Sequence, residues 1–277
     1  MPSFKETSYA ARRQKQIQLE SSSLQRCNCL GLSLLLGLAI SLALPLNAAY
    51  AAAPAAAAEE AAAPLTMDEA DEYLTQNKYK QAEDAYRSLL SEDRSGDAYA
   101  GLAVSLAKQG TPAKILEGER ILRKARTNFS DNPNLMAAGG YVSFVHSKSV
   151  ASPAKRDQYL EASESLCKRA IAGNSNILIA QQTLGLVKIA QDDYEEAVEP
   201  LKKCVQLAEN QVNLTLLAQA LLRLDPKDKE AESYVDKALK LDKNYHPAHL
   251  QKGLILCQAG KYEDAFFELH NIPQASR

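Results

Sequence analysis

Apolar residues recur at helical spacing from about residue 65 to residue 272. Leu214, Leu217, Ala218 and Leu221 fall at 0, +3, +4 and +7, so one stripe of a helix turns toward a core. No stretch alternates with period two for long enough to make a strand. The pattern itself repeats. Tyr194-Glu195-Glu196-Ala197 and Tyr262-Glu263-Asp264-Ala265 are nearly identical and lie 68 residues apart, twice 34. Lys229-Glu230-Ala231 lies halfway between them, and Tyr79-Lys80-Gln81-Ala82 is a fourth copy. Small residues mark one equivalent position, Ala82, Gly118, Ser163, Ala197, Ala231 and Ala265, at steps of 36, 45, 34, 34 and 34. Seven residues after each marker stand Leu89, Ala125, Ala170, Cys204, Ala238 and Ile272. One helical unit therefore recurs six times.

Each unit resolves into two helices. Upstream of the markers lie further helical stretches with a small residue inside, as in Leu184-Gly185, Leu217-Ala218 and Gly253. Gly110, Asp192-Asp193, Asp225-Pro226 and Gly260 break the stripes. Thr111-Pro112, Asn132-Pro133 and Asp225-Pro226 read as helix starts, with a capping side chain before a Pro in the first turn. There the missing N–H of Pro would have had no partner.

A period of 34 residues folded into two helices resembles the tetratricopeptide repeat family. The residues that carry the resemblance are Ala70, Gly140, Gly185, Ala218 and Gly253 in the first helices and the small markers of the second. Gly260-Lys261-Tyr262 matches the family's Gly-x-Tyr turn, and Tyr79 and Tyr194 match it without the Gly. The second and third repeats lack the Tyr, and the third carries an insertion near 147–158. The aromatic common early in the first helix is missing, since the chain has no Trp.

The resemblance implies an all-α, right-handed solenoid of about six stacked helix-turn-helix repeats. First helices would line a concave face, and ligands, usually peptide segments, would lie in its groove. The implied groove positions are three before and one after each small residue of a first helix. They are Ala137 and Tyr141, Gln182 and Leu186, Thr215 and Gln219, and Leu250 and Leu254, with Arg223 further along the face. The alternative for these residues is plain helix packing. The function implied is an exported scaffold that binds a protein or peptide partner through the groove. The competing reading is a structural subunit or membrane-anchored assembly factor that packs through its convex face.

Composition changes the picture only at the N-terminus. The 277 residues carry a net charge of −2. The first 51 hold five basic and two acidic side chains, and the remainder is net −5, so no global positive field draws a nucleic-acid backbone. Leu30 to Leu46 is apolar and uncharged, Pro45 breaks it, and Ala49-Tyr50-Ala51 has the small-x-small form of a signal-peptidase site. Residues 1–51 read as a secretory signal peptide, or as a membrane anchor if uncleaved. The signal implies an exported protein, periplasmic, secreted or in the cell envelope; the anchor would hold it to a membrane by residues 30–46. In the next stretch, 52–64, Ala and Pro dominate and supply no core, so it reads as a linker to the repeat domain, 65–277.

Candidate chemistry is sparse. His246-Pro247-Ala248-His249 sets two imidazoles three residues apart, but no third metal ligand accompanies them, and the plain reading is a surface turn. Asp192-Asp193 and Glu195-Glu196 sit where negative charge suits a helix N-terminus. No phosphate-binding Gly-rich loop, nucleophile elbow or Ser-His-Asp set is present. The sequence reads as a non-enzyme, with no catalytic, metal or cofactor residues. Cys167, Cys204 and Cys257 remain beyond the leader. Cys204 reads as a small buried hydrophobe and Cys167 lies on an apolar stripe, with a disulfide between them as the alternative in an oxidising compartment.

N-terminal sequencing of the processed protein is expected to start at Ala52. A chain that begins at Met1 in a membrane fraction would show a retained anchor instead.

Overall fold

The computed structural model describes residues 66–92 and 94–270. The proposed signal, the linker and Ile272 lie outside them. The described residues form twelve helices and no strand. They are α1 (Met67–Thr75), α2 (Tyr79–Glu92), α3 (Gly96–Lys108), α4 (Pro112–Ala125), α5 (Pro133–Ser149) and α6 (Pro153–Gly173), followed by α7 (Leu178–Ala190), α8 (Tyr194–Leu207), α9 (Gln211–Leu224), α10 (Lys229–Leu241), α11 (His246–Gln258) and α12 (Tyr262–His270). Each helix packs on the next, and each odd-numbered helix also packs on the following odd-numbered one. Six antiparallel pairs therefore stack into a solenoid whose inner layer is the first helices. None of the described helices is long and apolar enough to cross a membrane.

The repeat markers are the points of closest packing. Ala82, Gly118, Ser163, Ala197, Ala231 and Ala265 are all buried. Their counterparts in the first helices make the approach possible. A Cβ on Gly185 would lie 2.5 Å from Leu201 Cδ2, and one on Gly253 would lie 2.7 Å from Leu269. At Gly140 the same space holds the Cys167 thiol, and Ser163 Oγ donates to the Gly140 carbonyl at 2.7 Å. Cys167, Cys204 and Cys257 are free, and burial pushes the thiols of Cys167 and Cys204 up to about 12.

The turn inside each pair explains how the repeat manages without its Gly. Gly260 adopts φ 75°, and Asn77 and Asp192 adopt φ 60° and 59° at the equivalent position. Asn and Asp tolerate this left-handed conformation better than other side chains. Each side chain also accepts from the Tyr two residues on: Tyr79 donates to Asn77 Oδ1 at 2.6 Å and Tyr194 to Asp192 Oδ1 at 2.7 Å.

Helix starts follow the capping rules, with one correction. Thr66 and Glu69 form a reciprocal capping box. Thr111 and Asn132 cap α4 and α5 ahead of Pro112 and Pro133. Asp225-Pro226, by contrast, does not start a helix. Asp225 closes α9 and its carboxylate accepts from Lys227 N at 2.9 Å, while Asp228 caps α10 through bonds from Glu230 N and Ala231 N at 2.7 and 3.0 Å. The insertion in the third repeat lengthens its helices to 17 and 21 residues instead of adding a long loop.

A second periodic position holds neighbouring repeats together. The residue directly after the marker is Glu83, Glu119, Glu164, Val198, Glu232 or Phe266. Glu83 accepts from Gln109 at 2.8 Å and Lys114 at 2.7 Å, and Glu119 pairs with His146. Glu164 pairs with Lys188 at 2.8 Å, and Glu232 with Lys252 at 3.1 Å. Each of these partners comes from the following repeat, and Arg87 and Lys168 add a partner from the same helix to Glu83 and Glu164. Burial alone would raise the Glu83 carboxyl, but bonds from Gln109, Lys114 and Arg87 hold it down at about 2, and bonds from Lys168, Lys188 and Gln191 do the same for Glu164. Val198 replaces the acid with an apolar contact to the cluster that contains Leu217, Ala218 and Leu221 of α9.

Replacing Gly185 with Leu should force Leu201, which is fully buried, out of its seat. Overpacking of this kind costs about 1–3 kcal/mol. Urea titration should show a lower midpoint with unchanged helix content.

Candidate functional site

The inner layer is the face on which the sequence placed a groove, and its residues divide by register. Ala137 and Thr215 are buried. Ala137 packs with Ala170, Ile177 and Ala180, and Thr215 Oγ1 donates to the Gln211 carbonyl at 2.7 Å. Gln182 Nε2 donates to Asn213 Oδ1 at 2.8 Å, tying α7 to α9. At Ala137 and Gln182 the position three before the small residue is therefore a junction with the next first helix. Ala137 and Thr215 have no surface to offer a ligand, which corrects their placement in the groove. Leu250 occupies the same register and is 43% exposed, because no described helix follows to cover it.

The position one after the small residue stays at the surface. Tyr141, Leu186 and Gln219 are half-buried there, and Leu254 is exposed on the last pair. Leu186 packs beside Phe144, Leu160 and Val187. Arg223 is exposed, with its guanidinium carbon 5.9 Å from the centre of the Tyr194 ring. Burial, and then the nearby Tyr79, push the Tyr141 hydroxyl up to about 12.

Lys108 completes this face and was not foreseen. It is half-buried at the end of α3, with Nζ 5.2 Å from the centre of the Tyr141 ring. Among the described residues no carboxylate pairs with it, and desolvation lowers its pKa. Lys148 follows Tyr141 by seven residues, two turns along the same face. Its ammonium rests 4.4 Å from the Phe144 ring centre, also without a carboxylate, and desolvation again lowers its pKa. Lys108 stands five residues after Ala103, as Arg223 stands five after Ala218. Ala103 is fully buried against Gly118, so it is the small residue of the second repeat. Ala98-Tyr99-Ala100-Gly101-Leu102-Ala103 offers too many small residues for the sequence to single it out.

Of the His pair, His249 is engaged within the protein. His249 meets Glu268 at 2.6 Å through Nδ1 and the Lys243 carbonyl at 2.8 Å through Nε2, and His246 Nδ1 is buried without a partner. Desolvation would lower the His249 pKa, but the carboxylate and carbonyl together raise it. Both ring nitrogens face acceptors, so the matched state is the imidazolium.

The geometry agrees with comparison to known proteins. The family model described as tetratricopeptide repeat matches residues 179–211, which span α7 and α8. Over that pair the chain matches the tetratricopeptide repeat, and the stacked pairs around it have the fold of such repeats. A thermophilic tetratricopeptide repeat protein of Thermus thermophilus aligns with 18% identity and a TM-score of 0.56, over 74% of this chain and 97% of that one. The Cut9–Hcn1 hetero-tetramer of the APC/C aligns with 12% identity and a TM-score of 0.58, over 73% of this chain and 36% of the other. At these identities the likeness is one of fold. No curated protein matches the chain in sequence. The tetratricopeptide-like helical repeat fold is consistent with a scaffold for protein–protein interaction.

Proposed function

We propose that the chain is exported and that its concave face binds an acidic segment of a partner protein. The basic leader, apolar core and small-x-small site support export. The observation that carries the binding reading is Lys108. A half-buried ammonium without a counter-charge is unfavourable, and its lowered pKa records that cost. A partner carboxylate placed over Tyr141 relieves it. Lys148 lies on the same face, and Arg223 extends the positive row toward α9. Four acids of this otherwise acidic body are directed elsewhere: Glu83, Glu119, Glu164 and Glu232 are consumed in the junctions. Leu186 supplies apolar contact, and the Gln219 amide donates and accepts toward a bound backbone. Gln182 already spends its amide on Asn213.

The test is co-purification of cross-linked partners from envelope fractions, comparing the native chain with a Lys108→Met, Lys148→Met, Arg223→Met variant. Charge-assisted bonds contribute about 1.5–3 kcal/mol each, so the recovered partner should fall at least about tenfold. Circular dichroism should be unchanged, since the three heads make ring contacts, those of Lys108 and Arg223 reaching a neighbouring repeat, and no junction ion pair among the described residues. Full recovery would move binding to the convex face.

A further inference from the structure

The last repeat breaks the rule that joins the others. In the preceding pairs the residue after the marker reaches the following repeat through an acid at the first, second, third and fifth positions, and at the fourth Val198 packs on the cluster that contains Leu217, Ala218 and Leu221. At the sixth it is Phe266, which is 63% exposed. Two more junction positions, Leu250 and Tyr262, and one inner-face position, Leu254, are also open on this last pair. Leu250 shares the register of the buried Ala137 and Thr215. Leu254, 44% exposed, shares that of the half-buried Tyr141, Leu186 and Gln219. Tyr262, 71% exposed, shares that of Tyr194, whose ring carries Arg223 from the next repeat. Phe267 adds a further ring at 66%. Solenoids normally end in a repeat with a polar outer face. Here the end face of α11 and α12 is apolar and, among the described residues, uncovered.

We propose that this face pairs with the same face of a second copy about a two-fold axis. Area supports the pairing. An aromatic side chain buries about 150–250 Å² when fully covered, so three rings and two leucines at these exposures present roughly 500–600 Å² per copy. Two such faces remove about 1,100 Å² before the rim is counted, which approaches the roughly 1,200–2,000 Å² of a specific interface. Shape supports it as well. Tyr262, Glu263, Phe266 and Phe267 line a shallow groove of about 330 Å³. Phe266 and Phe267 meet edge-on with centroids 6.1 Å apart, so each copy offers both a ridge and a furrow. Charge is self-complementary too. The first turn of α12 carries Glu263 and Asp264 and its last turn carries His270. Antiparallel packing of α12 on its copy sets the acidic end of one against the basic end of the other, the isologous arrangement a two-fold requires. This pairing uses neither Lys108 nor Tyr141, so it stands apart from the concave-face reading.

Sedimentation equilibrium of the full chain, in density-matched detergent so that the leader stays solvated, reads the mass directly. The native chain should sediment as two copies at micromolar concentration. F266E/F267E should sediment as one, its dimer weakened by more than about a hundredfold, with helix content unchanged because both rings are exposed. L116E, at an exposed apolar residue on α4, should remain two copies. A native chain of single-copy mass overturns the proposal, and so does a dimer that survives F266E/F267E, including one held by the leader. A photo-cross-linking residue placed at 267 should join the chain to itself; a cross-link only to another protein would assign the face to that partner and overturn the self-pairing.

Discussion

The close crossing of two helices at a residue too small to keep them apart is the contact on which the rest depends. Gly140, Gly185 and Gly253 leave room that Cys167, Leu201 and Leu269 fill. Because those side chains occupy the space a Cβ would need, the helices approach until their stripes interlock. Each pair still leaves one side uncovered, and the next pair covers it. Buried apolar contact holds the crossings. Polar contacts at the junctions add register: Glu83, Glu119, Glu164 and Glu232 each reach one repeat forward, and a slip would strand a buried carboxylate without its cation or amide.

That division of labour decides where function can sit. Crossing residues and junction residues are committed to the fold. The freedom left lies on the inner face one residue past each crossing and on the ends of the stack. On the inner face, Lys108 and Lys148 keep ammonium groups over aromatic rings, with no carboxylate paired to them among the described residues. At the C-terminal end, α12 carries aromatic rings where the internal junctions carry acids. One face is cationic and suits an acidic segment. The other is apolar and suits its own copy, so a dimer would present two grooves.

Much of this was legible in the sequence because repetition multiplies weak signals. Steps of 34 located the markers, and all six are buried in the structure. The missing Gly of two turns was visible, but only the backbone shows that Asn77 and Asp192 take its left-handed conformation. Asp225-Pro226 misled because Asp228, three residues on, is an equally good cap and stands next to the helix. Which inner-layer positions stay accessible was only partly legible. Tyr141, Leu186 and Gln219 are half-buried, while Ala137 and Thr215 are buried. Which register is sealed depends on how far one repeat shifts across the next, and a single repeat's pattern does not encode that displacement. Lys108 escaped for a different reason: the alanines around Ala103 hide the crossing from which it is counted.

If each repeat is joined only to its neighbours, one repeat can be taken out and the ends rejoined. Removing the 34 residues Gln191 to Leu224 deletes α8 and α9 and joins α7 to the turn that leads into α10. Ala231 then meets Gly185, and the Glu232–Lys252 junction is untouched. Equilibrium urea unfolding followed by circular dichroism should show a cooperative helical protein with a lower midpoint and a smaller m-value, in proportion to the surface removed. A product without cooperative unfolding would contradict the account and make the chain a single indivisible bundle.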